Sequence, residues 1–460
     1  MKVHFISLGC DKNLVDSEIM LGLLSEAGHV VTDDEAAADV IVINTCGFIA
    51  DATSEGVQTI LEMSRQKREG NCRALIVAGC MVARYRDKII KELPEVDAVV
   101  SPDEIQRILS VIEAALKPGA GSNAGAAADE RFERLTREAL YLKRAVSTAG
   151  HYAYLRIADG CDNRCTYCTI PSIRGAYRSR SPDGLLEEAR MLAARGVKEL
   201  ILVAQDVSLY GVDFLDADKG TAEKSARLPL LLRRLSEIPG IEWLRLMYCY
   251  PEHITAELIA EMSANPKICH YIDMPVQHSA DSVLKRMGRG STGAGLRAVV
   301  AALRRAMPDI CLRTTLIAGF PGETEQEFEE LLGFIRETRF DRLGVFAYSR
   351  EEGTPAYSMK GQLTKPVKER RRKALMKEQA AVSQEKCGGF IGKTLRVITD
   401  GYIPEEGVYC GRSYRDCPDV DGIVFFTCGW ELIAGDFVDV KIKSAKEYDL
   451  IGEAVYESAQ

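Results

Sequence analysis

Two hydrophobic periods alternate along most of the chain. Short apolar or alternating runs (VHFISL, DVIVINT, ALIVAG) are each followed by a polar segment with helical spacing, such as NLVDSEIMLGLLSEAG. Strand-then-helix repetition builds a parallel, doubly wound sheet, which is expected over residues 1–116. Residues 117–138, which open on KPGAGSNAGAAADERF, are small and polar and read as a linker. From 139 to 383 the alternation resumes with YAYLRIA, ELILVAQD, WLRLMYCY, YIDMP, LRTTLIAGF and RLGVFAYS. Six such strands predict a partial (β/α)6 barrel, shorter than the closed eight-stranded form. KERRRKALMKEQAAVSQE reads as a long polar helix whose Arg370, Arg371, Arg372 and Lys373 either touch phosphate or simply face solvent. Over 384–456 the pattern changes to short strands split by Gly-rich turns: TLRVITDG, GVYCGRS, GIVFFTCG and FVDVKIKSA. A small all-β barrel is expected there, of the kind that binds nucleic acids or peptides.

Composition sharpens this α/β reading. The chain's 460 residues suit about three domains. Its 46% hydrophobic and 27% charged content is that of a soluble globular protein. Met1 leads straight into the strand-like VHFISLG, and no apolar run approaches the roughly 20 residues of a membrane span. A cytoplasmic protein with no membrane partner is therefore expected. In that reducing compartment, clustered members of the 14 cysteines are metal ligands or catalysts before they are disulfides.

One cluster stands out. GCDNRCTYCTIPSIRG (160–175) carries Cys161, Cys165 and Cys168 with no fourth cysteine nearby. Zinc normally takes four ligands and a disulfide takes two. Three thiolates can hold three irons of a cubane cluster and leave the fourth iron open. The motif follows the first barrel strand, at the end where parallel barrels keep their active sites. Gly160 allows close backbone approach, and Tyr167 would set an aromatic face beside the open iron. A half zinc ribbon or plain reduced cysteines are the alternatives, although no second C-x2-C or His pair follows. Other strand ends offer Gln205 and Asp206, Gln277 and His278, and Gly319 and Gly322, while Arg245 and Arg313 lie within strands. Each is equally readable as an ordinary loop or core polar residue.

A second set of three sits in the N-terminal region: Cys10 in ISLGC, Cys46 in INTCG and Cys80 in VAGC. All three end strands, and open parallel sheets bind ligands beyond the carboxyl ends of their strands. They either converge at one sheet edge or are unrelated buried thiols. Cys72 lacks that position. Cys249, Cys269, Cys311, Cys387, Cys410, Cys417 and Cys428 form no ligand-spaced set and are expected to be inert.

The C-x3-C-x2-C spacing resembles the signature of radical S-adenosylmethionine enzymes. The order of a cysteine-bearing α/β module, a radical barrel and a small β-barrel resembles the methylthiotransferase family, whose last module is called TRAM. The resemblance implies that Cys161, Cys165 and Cys168 bind a 4Fe–4S cluster whose open iron chelates S-adenosylmethionine, with Tyr167, Gln205, Gly319 and Gly322 as contacts to that cofactor. It implies that Cys10, Cys46 and Cys80 bind a second, auxiliary 4Fe–4S cluster carrying the sulfur that becomes a methylthio group. It points to no catalytic residue beyond these ligands, and it implies a low-potential electron donor such as a flavodoxin.

SLGCDKNLVDSE, GCDNRCTYCTIPSIRG and YIDMPVQHS resemble the branch of the family that modifies the β-carbon of an aspartate in the small-subunit ribosomal protein S-twelve. Asp11 stands where that branch would have proline. A tRNA adenosine methylthiotransferase is the alternative within the family. A non-catalytic iron–sulfur RNA-binding module and a zinc-structured scaffold are the alternatives outside it. Charge bears on the choice. The net charge is −8, and residues 384–460 hold 8 Lys+Arg against 14 Asp+Glu. Glu405, Glu406, Asp416, Asp419, Asp421, Asp436 and Asp439 would repel RNA phosphate and attract a basic ribosomal protein. Alternatively, they only keep the chain soluble. A monomer that requires no specific nucleic acid is expected.

Overall fold

The computed structural model describes residues 1–117, 137–214 and 227–456. The linker expected over 117–138 lies almost wholly outside the described residues; 137 and 138 already open the helix Arg137–Leu142.

The first sheet contains β1 (Lys2–Ser7), β2 (Val30–Val31), β3 (Val40–Thr45), β4 (Ala74–Gly79) and β5 (Ala98–Val100). They lie in the order β2-β1-β3-β4-β5 and all neighbours are parallel. The expected strands are present, joined by two short edge strands that the sequence pattern did not reveal. β3 and β4 are buried along their whole length, as strands covered by helices on both faces must be.

Six parallel strands form the second sheet: β6 (Tyr152–Arg156), β9 (Glu199–Val203), β10 (Trp243–Leu246), β11 (Ile268–Asp273), β12 (Cys311–Ala318) and β13 (Arg342–Ala347), in chain order across the sheet. β6 and β13 are its free edges, so the barrel is open. A two-strand ribbon, β7 (Ala158–Asp159) with β8 (Arg178–Ser179), brackets the cysteine loop. The third body is a closed barrel of β14 (Thr394–Ile403), β15 (Val408–Ser413), β16 (Val424–Thr427), β17 (Phe437–Ala445) and β18 (Leu450–Ala454). Its last strand was not expected.

Helix Asp11–Glu26 joins the first two bodies. Val15, Ile19, Met20, Leu23 and Leu24 bury against its own sheet, while Asp16 and Glu18 are buried toward the barrel. Asp16 pairs with Arg156 of β6 at 2.6 Å, and Glu18 accepts the Ser147 backbone N–H at 2.7 Å. Its polar face is therefore a docking face and not a solvated one.

The third body seals the barrel floor. Arg245 of β10 pairs with Glu199 of β9 at 2.7 Å, and Arg412 of β15 grips the same carboxylate from the other side. Arg342 pairs with Asp416, and Tyr271 Oη donates to Asp421 at 2.8 Å. Two of the acids expected on the surface, Asp416 and Asp421, are thus buried partners of barrel residues. Asp436 stands 3.8 Å from Lys198. Glu405, Glu406 and Asp419 are exposed. Of the basic run on helix Lys365–Gly388, Arg371 is buried and pairs with Glu323 at 2.7 Å. Arg370 pairs with Glu325 and Arg372 with Glu369 at the surface, and Lys373 is exposed, so of this run only Arg371 is built into the core.

Candidate active site

Both cysteine sets lie at the carboxyl ends of parallel strands. Cys161, Cys165 and Cys168 follow β6 and the β7 strand, in a loop closed by the one-turn helix Ile170–Arg174. Gly160 makes the entry turn with φ +79°, and a Cβ there would meet the Ala176 carbonyl oxygen at 2.0 Å. Only glycine fits that turn. Asp206, at the end of β9, holds the loop from outside by accepting from Asn163 Nδ2 at 3.2 Å and pairing with His253 at 2.8 Å. Tyr250 Oη lies 3.6 Å from Cys165 Sγ, and the Ile170 N–H donates to Cys168 Sγ at 3.4 Å. Burial pushes the Cys161 thiol up to about 11 and the Cys168 thiol up to about 12. Cys165 acts on the ionisation of both, and Cys161 on that of Cys168, as thiols grouped in one loop do.

Cys10, Cys46 and Cys80 follow β1, β3 and β4, which are immediate neighbours in the first sheet. The backbones around Cys46 close on the other two. A Cβ on Gly9 would stand 3.1 Å from the Cys46 Cβ, and one on Gly47 would stand 2.9 Å from the Cys80 carbonyl carbon. Cys10 is exposed, Cys46 intermediate and Cys80 buried. Burial pushes the Cys80 thiol up to about 11, opposed by the nearby Arg174 guanidinium. That arginine, six residues beyond Cys168, donates Nη2–H to Cys80 Sγ at 3.4 Å. The loop of one cysteine set therefore reaches a sulfur of the other.

Both sets suit soft iron–sulfur ligation. Their thiols are free, grouped by threes and partly withdrawn from water, and coordination replaces the proton that burial would otherwise retain. Among the described residues, no three or more His, Cys, Asp or Glu side chains are set to hold a single metal ion. A cubane spreads its three thiolates over separate corners, a wider footprint than the four-ligand tetrahedron of a zinc site.

The remaining sequence candidates divide. Gln205 donates Nε2–H to Asp159 at 3.3 Å and keeps its buried Oε1 without a hydrogen-bond partner. Tyr167 packs edge-on to Phe320 with ring centroids 6.3 Å apart. Gly319 gives its N–H to Glu323, and the space a side chain would need is taken by Lys368. Gly322 gives its N–H to the Gly361 carbonyl. His278 is wholly buried, its Nδ1 accepting the Ala280 N–H at 3.0 Å. Gln277 bridges to β12 with φ +68°. Arg245 and Arg313 are engaged in ion pairs, Arg313 with Asp273 at 2.7 Å. Sequence reading missed Arg174, Tyr250 and Arg289. Arg289 lies over the Tyr250 ring at 4.1 Å, with Nε and Nη1 buried and lacking hydrogen-bond partners. Proximity of Arg174 to the motif was the only available signal.

Residues 2–101 match the uncharacterized protein family UPF0004, 155–335 the radical SAM superfamily and 391–455 the TRAM domain. The fold resembles that of TsrM from Kitasatospora setae, a radical S-adenosylmethionine methyltransferase solved with tryptophan substrate and the SAM analogue aza-SAM. The TM-score is 0.54 at 14% identity, covering 83% of this chain and 89% of that one. Barrel, cysteine loop and matched segment define a radical S-adenosylmethionine enzyme, a class that uses S-adenosylmethionine and an iron–sulfur cluster.

The more specific relationship comes from sequence. The chain is 50% identical to the ribosomal protein uS12 methylthiotransferase RimO of Acetivibrio thermocellus, covering 100% of this chain and 99% of that protein. It is 48% identical to that of Lachnoclostridium phytofermentans (99% and 100%) and 46% identical to that of Geobacter sulfurreducens (99% and 98%). It belongs to the RimO family of radical S-adenosylmethionine methylthiotransferases.

Proposed function

We propose that this protein adds a methylthio group to the β-carbon of an aspartate in ribosomal protein uS12, using one cluster on each cysteine set. The observation that carries the two-cluster reading is the Arg174–Cys80 contact, which turns the thiol-bearing edge of the first sheet toward the barrel's cysteine loop. The reading also rests on full-length likeness to RimO proteins.

The group held by Cys161, Cys165 and Cys168 supplies, with S-adenosylmethionine, a carbon-centred radical able to take hydrogen from an unactivated C–H bond; acid–base side chains cannot do this. The protein's own residues position and enclose. Asp206 and Gly160 fix the cysteine loop, and Tyr250 covers Cys165. Arg289, with two buried N–H groups unpaired, and Gln205, with a free carbonyl oxygen, have the polarity to hold the carboxylate and amino ends of the cofactor. Cys10, Cys46 and Cys80 hold the sulfur-bearing group on the facing sheet edge. Electrons come from a low-potential donor such as a flavodoxin, and the exposed acids Glu405, Glu406 and Asp419 steer the basic substrate.

Peptide mass analysis of uS12 from cells with and without this protein tests the assignment. A methylthio mass on an aspartate that disappears with the gene is expected. The same mass on a tRNA nucleoside, with uS12 unmodified, contradicts it.

A further inference from the structure

Arg174 closes the helix Ile170–Arg174 and crosses from the barrel to the first sheet. Its side chain is 2% exposed. Nη2 donates to Cys80 Sγ at 3.4 Å and pairs with Asp16 Oδ2 at 2.7 Å. Nη1 is 3.8 Å from Asp159 and has no hydrogen-bond partner. Asp16 is shared, because its other oxygen pairs with Arg156 at 2.6 Å. Two carboxylates, Asp16 in close contact and Asp159 at longer range, thus face the two guanidinium groups of Arg156 and Arg174. Within this balanced set, the Arg174 guanidinium contacts the Cys80 sulfur directly.

We propose that Arg174 is a positioning residue that raises the reduction potential of the cluster on Cys10, Cys46 and Cys80, by an N–H···S bond to Cys80 and by the positive charge it holds against that sulfur. The inference rests on the assignment of a cluster to those cysteines. Its physics is direct. A hydrogen bond to a ligating sulfur draws electron density from it, and a buried cation favours the more negative, reduced state. Both effects make reduction easier. They also make Arg174 a residue through which the barrel's cysteine loop acts on the chemistry of the other set. A merely structural Arg174 would tie the helix to Asp16 without altering a potential.

The test uses the full chain carrying Cys161→Ala, Cys165→Ala and Cys168→Ala, reconstituted anaerobically, so that only the N-terminal set is available. Iron per chain, the electron paramagnetic resonance of the reduced cluster and its midpoint potential are measured with Arg174, R174K and R174Q. About four irons are expected throughout. R174Q shifts the midpoint to more negative values, and R174K, which keeps the charge, shifts it less in the same direction. If R174Q fails to retain iron, R174K decides by the same criterion. An unchanged midpoint with iron retained overturns the role of Arg174 and leaves the cluster assignment standing. Absence of iron from the parent with Arg174 intact overturns both.

Discussion

Gly160 illustrates how far a single backbone position governs the site. Its left-handed turn delivers Cys161, and a methyl group there collides with fixed backbone, the Ala176 and Gly175 carbonyls, and not with a flexible side chain. Gly160→Ala is expected to lower stability by more than about 1 kcal/mol, measured by denaturant titration, and to reduce iron retained on the barrel loop. Normal iron and stability would show that the turn relaxes freely. His278 makes a pH-dependent contribution. Burial lowers its imidazole from 6.5 to about 3, so the folded state keeps it neutral. The unfolded chain takes the proton first, so stability present above about pH 6.5 is lost progressively as pH falls toward 3. His278→Asn, whose carbonyl can replace Nδ1 as acceptor for the Ala280 N–H, is expected to flatten that decline in unfolding free energy. An unchanged slope would place the effect elsewhere. Of these two residues, the glycine's role was legible beside the cysteine motif; the sequence left His278 equally readable as a loop or a core residue, because a group that encloses it, Glu323, is remote in sequence.

At the scale of elements, strands of five or more residues with clear apolar runs were readable, and the six barrel strands follow the pattern closely. β2 and β5 have two and three residues, too few to show a period. β18 follows the charged SAKEYD segment, which masks its apolar positions. Helix Asp11–Glu26 was readable as a polar helix, but polarity does not distinguish water from an ion-pairing partner domain. The same ambiguity concealed the barrel floor, where Glu199 is shared by Arg245 and Arg412 with all three side chains buried. Glu199→Gln leaves the buried Arg245 without a charged partner and Arg412 with Asp400 alone, and is expected to cost about 3 kcal/mol. Limited proteolysis should show the C-terminal barrel released first. Loss of less than about 1 kcal/mol would mean that water or backbone carbonyls compensate.

For the whole molecule, the convergence of Cys10, Cys46 and Cys80 on one edge was legible only through their shared strand-end position, since 34 to 36 residues separate them. The contact of that edge with the loop of Cys161, Cys165 and Cys168 is made through Arg174, which is 94 residues from Cys80 and has no periodic signature. The acidic character of the C-terminal module is partly internal, with Asp416 and Asp421 committed to the barrel, so the steering proposed above rests on the exposed acids. Glu405→Lys with Glu406→Lys is expected to raise KM for the basic substrate at low salt, to leave kcat unchanged and to lose its effect as salt rises. A fall in kcat without a change in KM would contradict steering.

The central claim, two iron–sulfur clusters on two facing sets of three cysteines, is tested most directly by iron analysis of the anaerobically reconstituted chain. About eight irons per chain are predicted, falling to about four when Cys161, Cys165 and Cys168 are replaced by alanine, and likewise when Cys10, Cys46 and Cys80 are replaced. About four irons in the unaltered chain, all lost with the first triple substitution, would contradict it.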